Sequence, residues 1–384
     1  MIKCFATTNS VMIDPLGKVR PCCKFDGDFG HIDEYDSIDD ILKSEHYTEL
    51  RKSHTDGIFT RGCKTCENSE ARGYKSRRQF YDDRYTNDDF LLDISPGTYC
   101  NLKCRMCSPY NSTKWFSDWD ALREMGIINS GPTSSLNVYN MPENDVDKII
   151  NFLDTTSYEI SIEFKGGEPL MNPKTQTLFE KMANCKSSNR ISINLITNGT
   201  YKVDWLANIA GNFKELRIGI SADGIGDVYE YIRGDKKYNW KRFLESIESY
   251  KNIPNTTLSF NYVVQNTNIH QMADFADAVA PYSVWWILLN NPQYLSTTVI
   301  PLSARADIIK KLQPLLDTTS KHREQFNTLT SIMNELTNNV DMDKEMYKQF
   351  IEYSAALDKL RNQSLLDVAP HLITEEGKRI YGSV

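Results

Sequence analysis

From Phe90 to about Pro292, short apolar runs alternate with segments whose apolar residues recur at helical spacing. The runs Phe90–Ser95, Glu159–Lys165, Arg190–Thr197, Glu215–Ser221, Leu258–Val264 and Val284–Leu289 have the length and composition of strands. Between them, Asp145–Leu153, Lys174–Met182, Val203–Ile209, Trp240–Tyr250 and Ile269–Ala280 read as helices. Strand–helix alternation predicts parallel strands covered by helices, and six units fall short of the eight of a closed barrel. Upstream, Ser10 to Ile13, the turn Asp14-Pro15-Leu16-Gly17-Lys18 and Val19 predict a β-hairpin. Apolar residues at Ile38, Ile41, Leu42, Tyr47 and Leu50 predict one amphipathic helix over Ser37–Lys52, with Ser37 as its cap. Downstream, Ala304–Leu316, Gln325–Leu336 and Lys344–Leu360 read as helices of mixed charge.

Composition narrows the class. The 384 residues have room for two or three domains, and 40% hydrophobic with 25% charged residues is ordinary for a folded protein. A net charge of −7 gives no ground for a nucleic-acid partner. No run approaches the ~18 apolar residues of a membrane span, and Met1-Ile2-Lys3-Cys4 has no signal-peptide pattern. Nine cysteines without an export signal read as metal ligands sooner than as disulfides, so the expected compartment is the reducing cytoplasm.

In parallel α/β folds, functional residues gather at the C-terminal ends of strands. Cys100 follows the first predicted strand, Gly166-Gly167-Glu168-Pro169 the second, Thr197-Asn198-Gly199 the third and Ser221-Ala222-Asp223-Gly224 the fourth. These residues are expected to share one rim. Cys100, Cys104 and Cys107 have C-x3-C-x2-C spacing. Three thiolates hold three irons of a cubane and leave the fourth without a protein ligand. Open positions do chemistry where closed sites are structural. A zinc knuckle is the alternative. The paired glycines allow a close backbone approach to a ligand, and Glu168 can accept from an amine; a simple tight turn is the bland reading. Asn198 reads as holding the end of its strand, and Asn261 and Gln265 as facing the pocket. Cys23 reads as a small buried thiol beside a ligand, Cys185 as an isolated structural residue, and His270, His322 and His371 as surface or capping residues. Lys75, Arg77, Arg78 and Arg84 among Tyr74, Phe80, Tyr81 and Tyr85 read as a solvated helix face backed by buried aromatics.

The three-cysteine motif resembles that of the radical S-adenosylmethionine (radical SAM) superfamily. The resemblance implies a partial (β/α)6 barrel, α/β in class. It also implies a catalytic 4Fe-4S cluster on Cys100, Cys104 and Cys107 whose open iron binds S-adenosyl-L-methionine. Cleavage of that cofactor gives a 5′-deoxyadenosyl radical that abstracts hydrogen from a substrate. Gly166-Gly167-Glu168-Pro169 resembles the family's GGEP motif, which implies that Gly166, Gly167 and Glu168 hold the cofactor's methionine amino group. Ile220-Ser221-Ala222-Asp223-Gly224 and Tyr231-Ile232-Arg233-Gly234 resemble the fourth-strand region of SPASM-type members. That implies cofactor contacts from Ser221, Asp223 and Arg233; for Asp223, a helix cap is the equal alternative. Met106 stands where the family has an aromatic residue.

Cys4-x12-Gly17-x4-Cys22 followed by Cys63-x2-Cys66 resembles the Twitch module, the shortened SPASM domain. It implies an auxiliary 4Fe-4S cluster on Cys4, Cys22, Cys63 and Cys66. Four thiolates saturate such a cluster, leaving it an electron carrier or a staple; a zinc site on Cys63 and Cys66 is the alternative. The module usually follows the barrel, whereas here it precedes it. The expected division is a Twitch-like module at 1–88, the barrel at 89–300 and a helical segment at 301–384. The expected substrate is a peptide, protein side chain or small molecule such as a carbohydrate. The expected electron donor is external, such as flavodoxin or ferredoxin. The expected outcome is oxidative, and a non-catalytic electron-transfer protein is the competing reading.

Overall fold

One sheet of eight strands organises the chain, in the order β2-β1-β3-β4-β5-β6-β7-β8. The computed structural model describes residues 1–73, 75–129, 138–234, 236–319, 323–338 and 341–384; Tyr74 and His322 lie outside the described residues. The strands are β1 (Ser10–Ile13), β2 (Val19–Arg20), β3 (Asp89–Ile94), β4 (Glu159–Phe164), β5 (Ile191–Thr197), β6 (Glu215–Ser221), β7 (Thr256–Val264) and β8 (Ser283–Leu288). From β3 to β8 every pairing is parallel, which gives the partial six-stranded barrel its frame. All six predicted strands are present, each end within two residues of its expected place.

The two faces of the sheet differ as period-two alternation requires. Ile160, Ile162 and Phe164 on β4 and Ile191, Ile193 and Leu195 on β5 are buried against the crossover helices. Phe164 meets Phe179 of the helix Pro173–Ala183 with ring centroids 4.7 Å apart, and Phe90 meets Phe152 of Glu143–Thr155 at 4.7 Å. The opposite face carries Asp93, Glu163 and Asn194, and on the edge strand β8 it exposes Trp285 and Ile287. Lys165 bridges Asp93 and Glu163 there.

The cysteine-rich segment is joined to this sheet. β1 pairs antiparallel with β2 and parallel with β3, Ser10 opposite Leu91. The hairpin therefore lengthens the barrel sheet at its first edge, which is why eight strands stand where six were expected. Its turn is held by Asp14, whose Oδ1 accepts from Leu16 N (2.8 Å) and Lys18 N (3.0 Å). Gly17 sits at φ +76°, and a Cβ there would lie 2.2 Å from His31 Nε2, so both conformation and space call for glycine. Phe5, Tyr81, Tyr85 and Leu91 form a small apolar cluster between this segment and β3, with Phe5 and Tyr85 stacked at 4.8 Å. Of the basic residues around it, Arg78 pairs with Glu70 and Asp82 and Lys75 with Asp83, while Arg77 lies over Tyr81 and Arg84 over Tyr85.

Three expectations are corrected. The predicted Ser37–Lys52 helix is two helices, Ile38–Lys43 and Glu45–Thr55. Ser44, at φ −58° and ψ 158°, ends the first and caps the second through Tyr47 N, and the apolar spacing survives the break. Val203–Ile209 shrinks to a helix over Asp204–Ala207. His270 and His371 are half-buried and cap no helix: their rings pack edge to face with centroids 4.6 Å apart, and burial pushes both imidazoles below their ordinary range. Beyond the barrel, helices Leu302–Thr319, Arg323–Thr337 and Lys344–Arg361 occupy the expected places. Among the described residues, no helix is long and apolar enough to cross a membrane.

Candidate functional site

The loops after β3 and β4 lie directly on one another. Gly167 N donates to Gly97 O (3.1 Å) and Glu168 N to Tyr99 O (2.7 Å), one residue before Cys100. A Cβ on Gly167 would lie 2.2 Å from Tyr99 O, and Gly166 holds φ +120°. The close approach that the paired glycines permit is thus to the cysteine loop's backbone.

Glu168 is 2% exposed. Its Oε1 accepts from Thr197 Oγ1 (2.8 Å) and Leu170 N (3.1 Å), and its Oε2 from Asn198 N (2.6 Å). Burial pushes the carboxyl up to about 7, against the pull of these donors. Glu168 therefore ties the end of β4 to the end of β5. From there Asn198 Nδ2 donates to Asn101 Oδ1 (2.8 Å) and lies 3.8 Å from Cys100 Sγ, and Asn101 Nδ2 donates to Thr200 Oγ1 (2.8 Å). Asn101 was missed from sequence; its place inside the cysteine motif was the only signal.

The ends of β6 and β7 supply a second arm. Asp223 is fully buried, and its Oδ1 accepts from Val263 N (2.8 Å). Its Oδ2 pairs with Arg233 at 2.9 Å, and Arg233 also donates to Cys104 Sγ (3.5 Å). The helix Gly226–Arg233 begins after Ile225 with no side-chain cap, so the capping reading of Asp223 fails. Ser221, the last residue of β6, lies half-buried opposite Asn261 of β7. Gln265 is fully buried and neither atom of its amide has a partner, and the Ser95 and Thr98 hydroxyls are also unpartnered. Unpaired buried polar groups are costly, so their places just after β7 and β3 fit a rim built to receive polar groups.

Around Cys100, Cys104 and Cys107 the chain is anchored from the far terminus. Arg105 donates from its Nε to Tyr231 O (2.9 Å), covers the Tyr231 ring at 3.5 Å, and pairs with Asp358 in a fully buried contact. Tyr353 OH donates to Arg105 O (2.7 Å). Lys103 and Arg361 share Asp118, both through its Oδ2, at 2.9 and 2.8 Å. The helix Lys344–Arg361 therefore grips the cysteine loop itself, a more specific role than closing an open side. Asp358→Ala strands a buried guanidinium, and breaking a buried pair from one side costs about 3–5 kcal/mol. A marked fall in thermal midpoint by calorimetry is the expected result.

Burial raises the pKa of all three thiols, Cys100 to about 12, with neighbouring thiols adding to the rise for Cys100 and Cys107; Arg233 opposes it at Cys104. As thiolates the set needs a cation among them. In the N-terminal segment Cys4, Cys22, Cys63 and Cys66 line one small cavity together with His54 and Arg78. Burial again raises the Cys22 thiol, to about 12, and Cys4 and Cys63 move the same way. Cys23 is outside the lining, its sulfur 4.0 Å from Tyr81 OH. Among the described residues no group of three His, Cys, Asp or Glu side chains stands as it would around a single metal ion. A cubane has a different requirement, since each thiolate binds its own iron. The two donor sets, all sulfur and buried or half-buried, have the chemistry of iron–sulfur ligands.

The sequence matches the radical SAM superfamily over residues 94–279 and the iron–sulfur cluster-binding domain SPASM over residues 4–67. Molybdenum cofactor biosynthesis protein 1 of Dictyostelium discoideum is 26% identical over 209 residues, covering 53% of this chain and 28% of that protein. Among solved structures, native anSMEcpe with bound AdoMet is 17% identical with a TM-score of 0.44, over 60% of this chain and 61% of that one. Streptococcus suis SuiB bound to S-adenosylmethionine is 13% identical with a TM-score of 0.39, over 73% and 60%. The chain thus spans less than two thirds of the length of each. The two family matches fall on the segments that carry the two cysteine sets: residues 94–279 carry a radical SAM domain and residues 4–67 an iron–sulfur cluster-binding domain of the SPASM type.

Proposed function

We propose that the protein is a radical SAM enzyme acting oxidatively on a peptide or protein side chain. Its working parts are an auxiliary-cluster module at 1–88, the barrel at 89–300 and a helical segment at 301–384. Cys100, Cys104 and Cys107 would hold the catalytic 4Fe-4S cluster, and Cys4, Cys22, Cys63 and Cys66 the auxiliary one. Once bound, the catalytic cluster and S-adenosyl-L-methionine supply an electron and a 5′-deoxyadenosyl radical that abstracts hydrogen from the substrate. The observation that carries this reading is the contact between the Gly166–Pro169 loop and the residue before Cys100, which puts Glu168 beside the three-cysteine loop.

The chain's own residues have distinct tasks on this reading. Glu168 uses three acceptor positions within the protein, and an ionised carboxylate has about four, leaving one for the cofactor's amino group. Arg233, held by Asp223, places positive charge beside Cys104 and favours its thiolate. Ser221, at the end of β6, and the unpartnered Gln265 amide are available to the cofactor's polar groups. The face of β8 that exposes Trp285 and Ile287 gives apolar surface on which a substrate would pack. An external carrier such as flavodoxin or ferredoxin would supply electrons in the cytoplasm.

Glu168→Ala tests the cofactor clamp. With both clusters intact, S-adenosylmethionine should bind more weakly by about 1.5–3 kcal/mol, the range for a charge-assisted hydrogen bond, in anaerobic calorimetry. Because Glu168 also ties β4 to β5, Thr197→Val serves as control: it removes one internal tie and leaves the carboxylate. Equal losses in the two variants would return Glu168 to a structural role only.

A further inference from the structure

We propose that His54 donates a hydrogen bond to the Cys63 sulfur and thereby raises the reduction potential of the auxiliary cluster. The inference rests on reading the N-terminal cavity as a cluster site. His54 lies at the end of the helix Glu45–Thr55 and is 3% exposed. Its place is fixed from several sides. The helix is pinned by Tyr47 OH, which donates to Ser10 O (2.7 Å). The His54 carbonyl accepts from Ile2 N (2.7 Å), and its ring packs edge to face on Phe59 at 6.1 Å. Held this way, the imidazole lines the four-cysteine cavity with Nε2 3.6 Å from Cys63 Sγ.

The tautomer follows from the surroundings. Nδ1 is buried and has no partner. A proton on Nδ1 would leave an unsatisfied donor there and turn the Nε2 lone pair toward the sulfur's own electron density. A proton on Nε2 gives the sulfur a donor and leaves only a weakly demanding acceptor at Nδ1. Thr60 Oγ1 donates to the same sulfur at 3.4 Å. Cys63 thus faces two side-chain donors, whereas the donors to Cys4 and Cys22 are the backbone amides of Ala6 and Lys24.

A cluster that takes up one electron gains one negative charge, much of it carried toward its sulfurs. An N–H aimed at a ligating sulfur stabilises the reduced form more than the oxidised form and moves the potential upward. A backbone donor cannot be exchanged by a point mutation, but His54 can. The direction suits an electron acceptor: a higher potential makes the auxiliary cluster a better sink for an electron leaving a substrate radical.

The test uses full-length protein in which Cys100, Cys104 and Cys107 are alanine, so that only the auxiliary site can load iron. Parent, His54→Gln and His54→Phe forms are reconstituted anaerobically, their iron is counted, and the cluster is titrated by electron paramagnetic resonance. The expected result is a more negative potential in His54→Phe and a smaller shift in His54→Gln, which keeps an N–H donor. An unchanged potential in His54→Phe overturns the proposal, as do equal shifts in both variants, which would mark a packing effect. Iron loss in both variants makes His54 a ligand or scaffold and overturns it too. If only His54→Phe fails to load, His54→Gln decides: a potential slightly below the parent's supports the proposal, and one at or above it overturns it. A parent that binds no iron refutes the cluster reading itself, and the iron count shows this before any titration.

Discussion

Alanine at Cys100, Cys104 and Cys107 together is expected to halve the iron of anaerobically reconstituted protein, from about eight per chain to about four. It should also reduce 5′-deoxyadenosine formation to background. The two sulfur sets stand apart in the fold. Cys4, Cys22, Cys63 and Cys66 line their own cavity, whereas Cys100, Cys104 and Cys107 belong to the loop after β3. Removing one set should leave the other loaded. The loss of activity should be complete because the loop then keeps no thiolate: Met106 offers only an uncharged thioether, Arg233 is cationic, and Asn101 and Asn198 are neutral amides. Colour decides between metals, since iron–sulfur protein is brown through sulfur-to-iron charge transfer and a zinc protein is colourless. A triple variant with undiminished iron would remove the motif from the catalytic reading, whatever its effect on activity.

The parts of this architecture that were legible in the sequence are those set by local periodicity or by spacing within a few residues. The β4 and β5 strands announce themselves because their buried isoleucines alternate with half-exposed polar residues. The cysteine sets are legible because ligand geometry constrains short spacings. What was not legible is pairing across the chain. Arg105 and Asp358 are separated by 253 positions, and nothing local to either distinguishes a buried partner from a surface charge. Glu168 shows the same limit, since its partners at Thr197 and Asn198 include a backbone amide that no residue type advertises. The choice of β3 as the partner of β1 was hidden for a related reason: any strand with a free edge satisfies a hairpin's backbone. Short elements were missed because they lack a full period. Leu365–Val368 and Glu375–Tyr381 are defined by the caps Ser364 and Thr374 more than by apolar spacing.

Replacing Cys63 and Cys66 with alanine is expected to separate radical formation from product formation. Hydrogen abstraction leaves a carbon radical on the substrate. The radical is either quenched by a hydrogen atom, or it loses an electron and a proton and becomes an oxidised product. The second course needs an electron acceptor within tunnelling reach. A cluster held by Cys4, Cys22, Cys63 and Cys66 has no free iron with which to bind substrate, so its active role would be to accept that electron. Its module is built onto the barrel: β1 lies beside β3, and Phe5, Tyr81 and Tyr85 pack against Leu91 of β3. With the catalytic cysteines intact, the double variant should still bind S-adenosylmethionine and form 5′-deoxyadenosine when reduced chemically. Oxidised product, measured by mass spectrometry on a peptide substrate, should fall to a small fraction of the wild-type amount, while the 5′-deoxyadenosine formed per product rises. A purely structural cluster predicts a different pattern. The double variant would then lose thermal stability, and both yields would fall together in proportion to the folded protein that remains. A folded variant lacking the N-terminal cluster that gives the same product at the wild-type rate would end the electron-acceptor role, and with it the oxidative part of the proposed function.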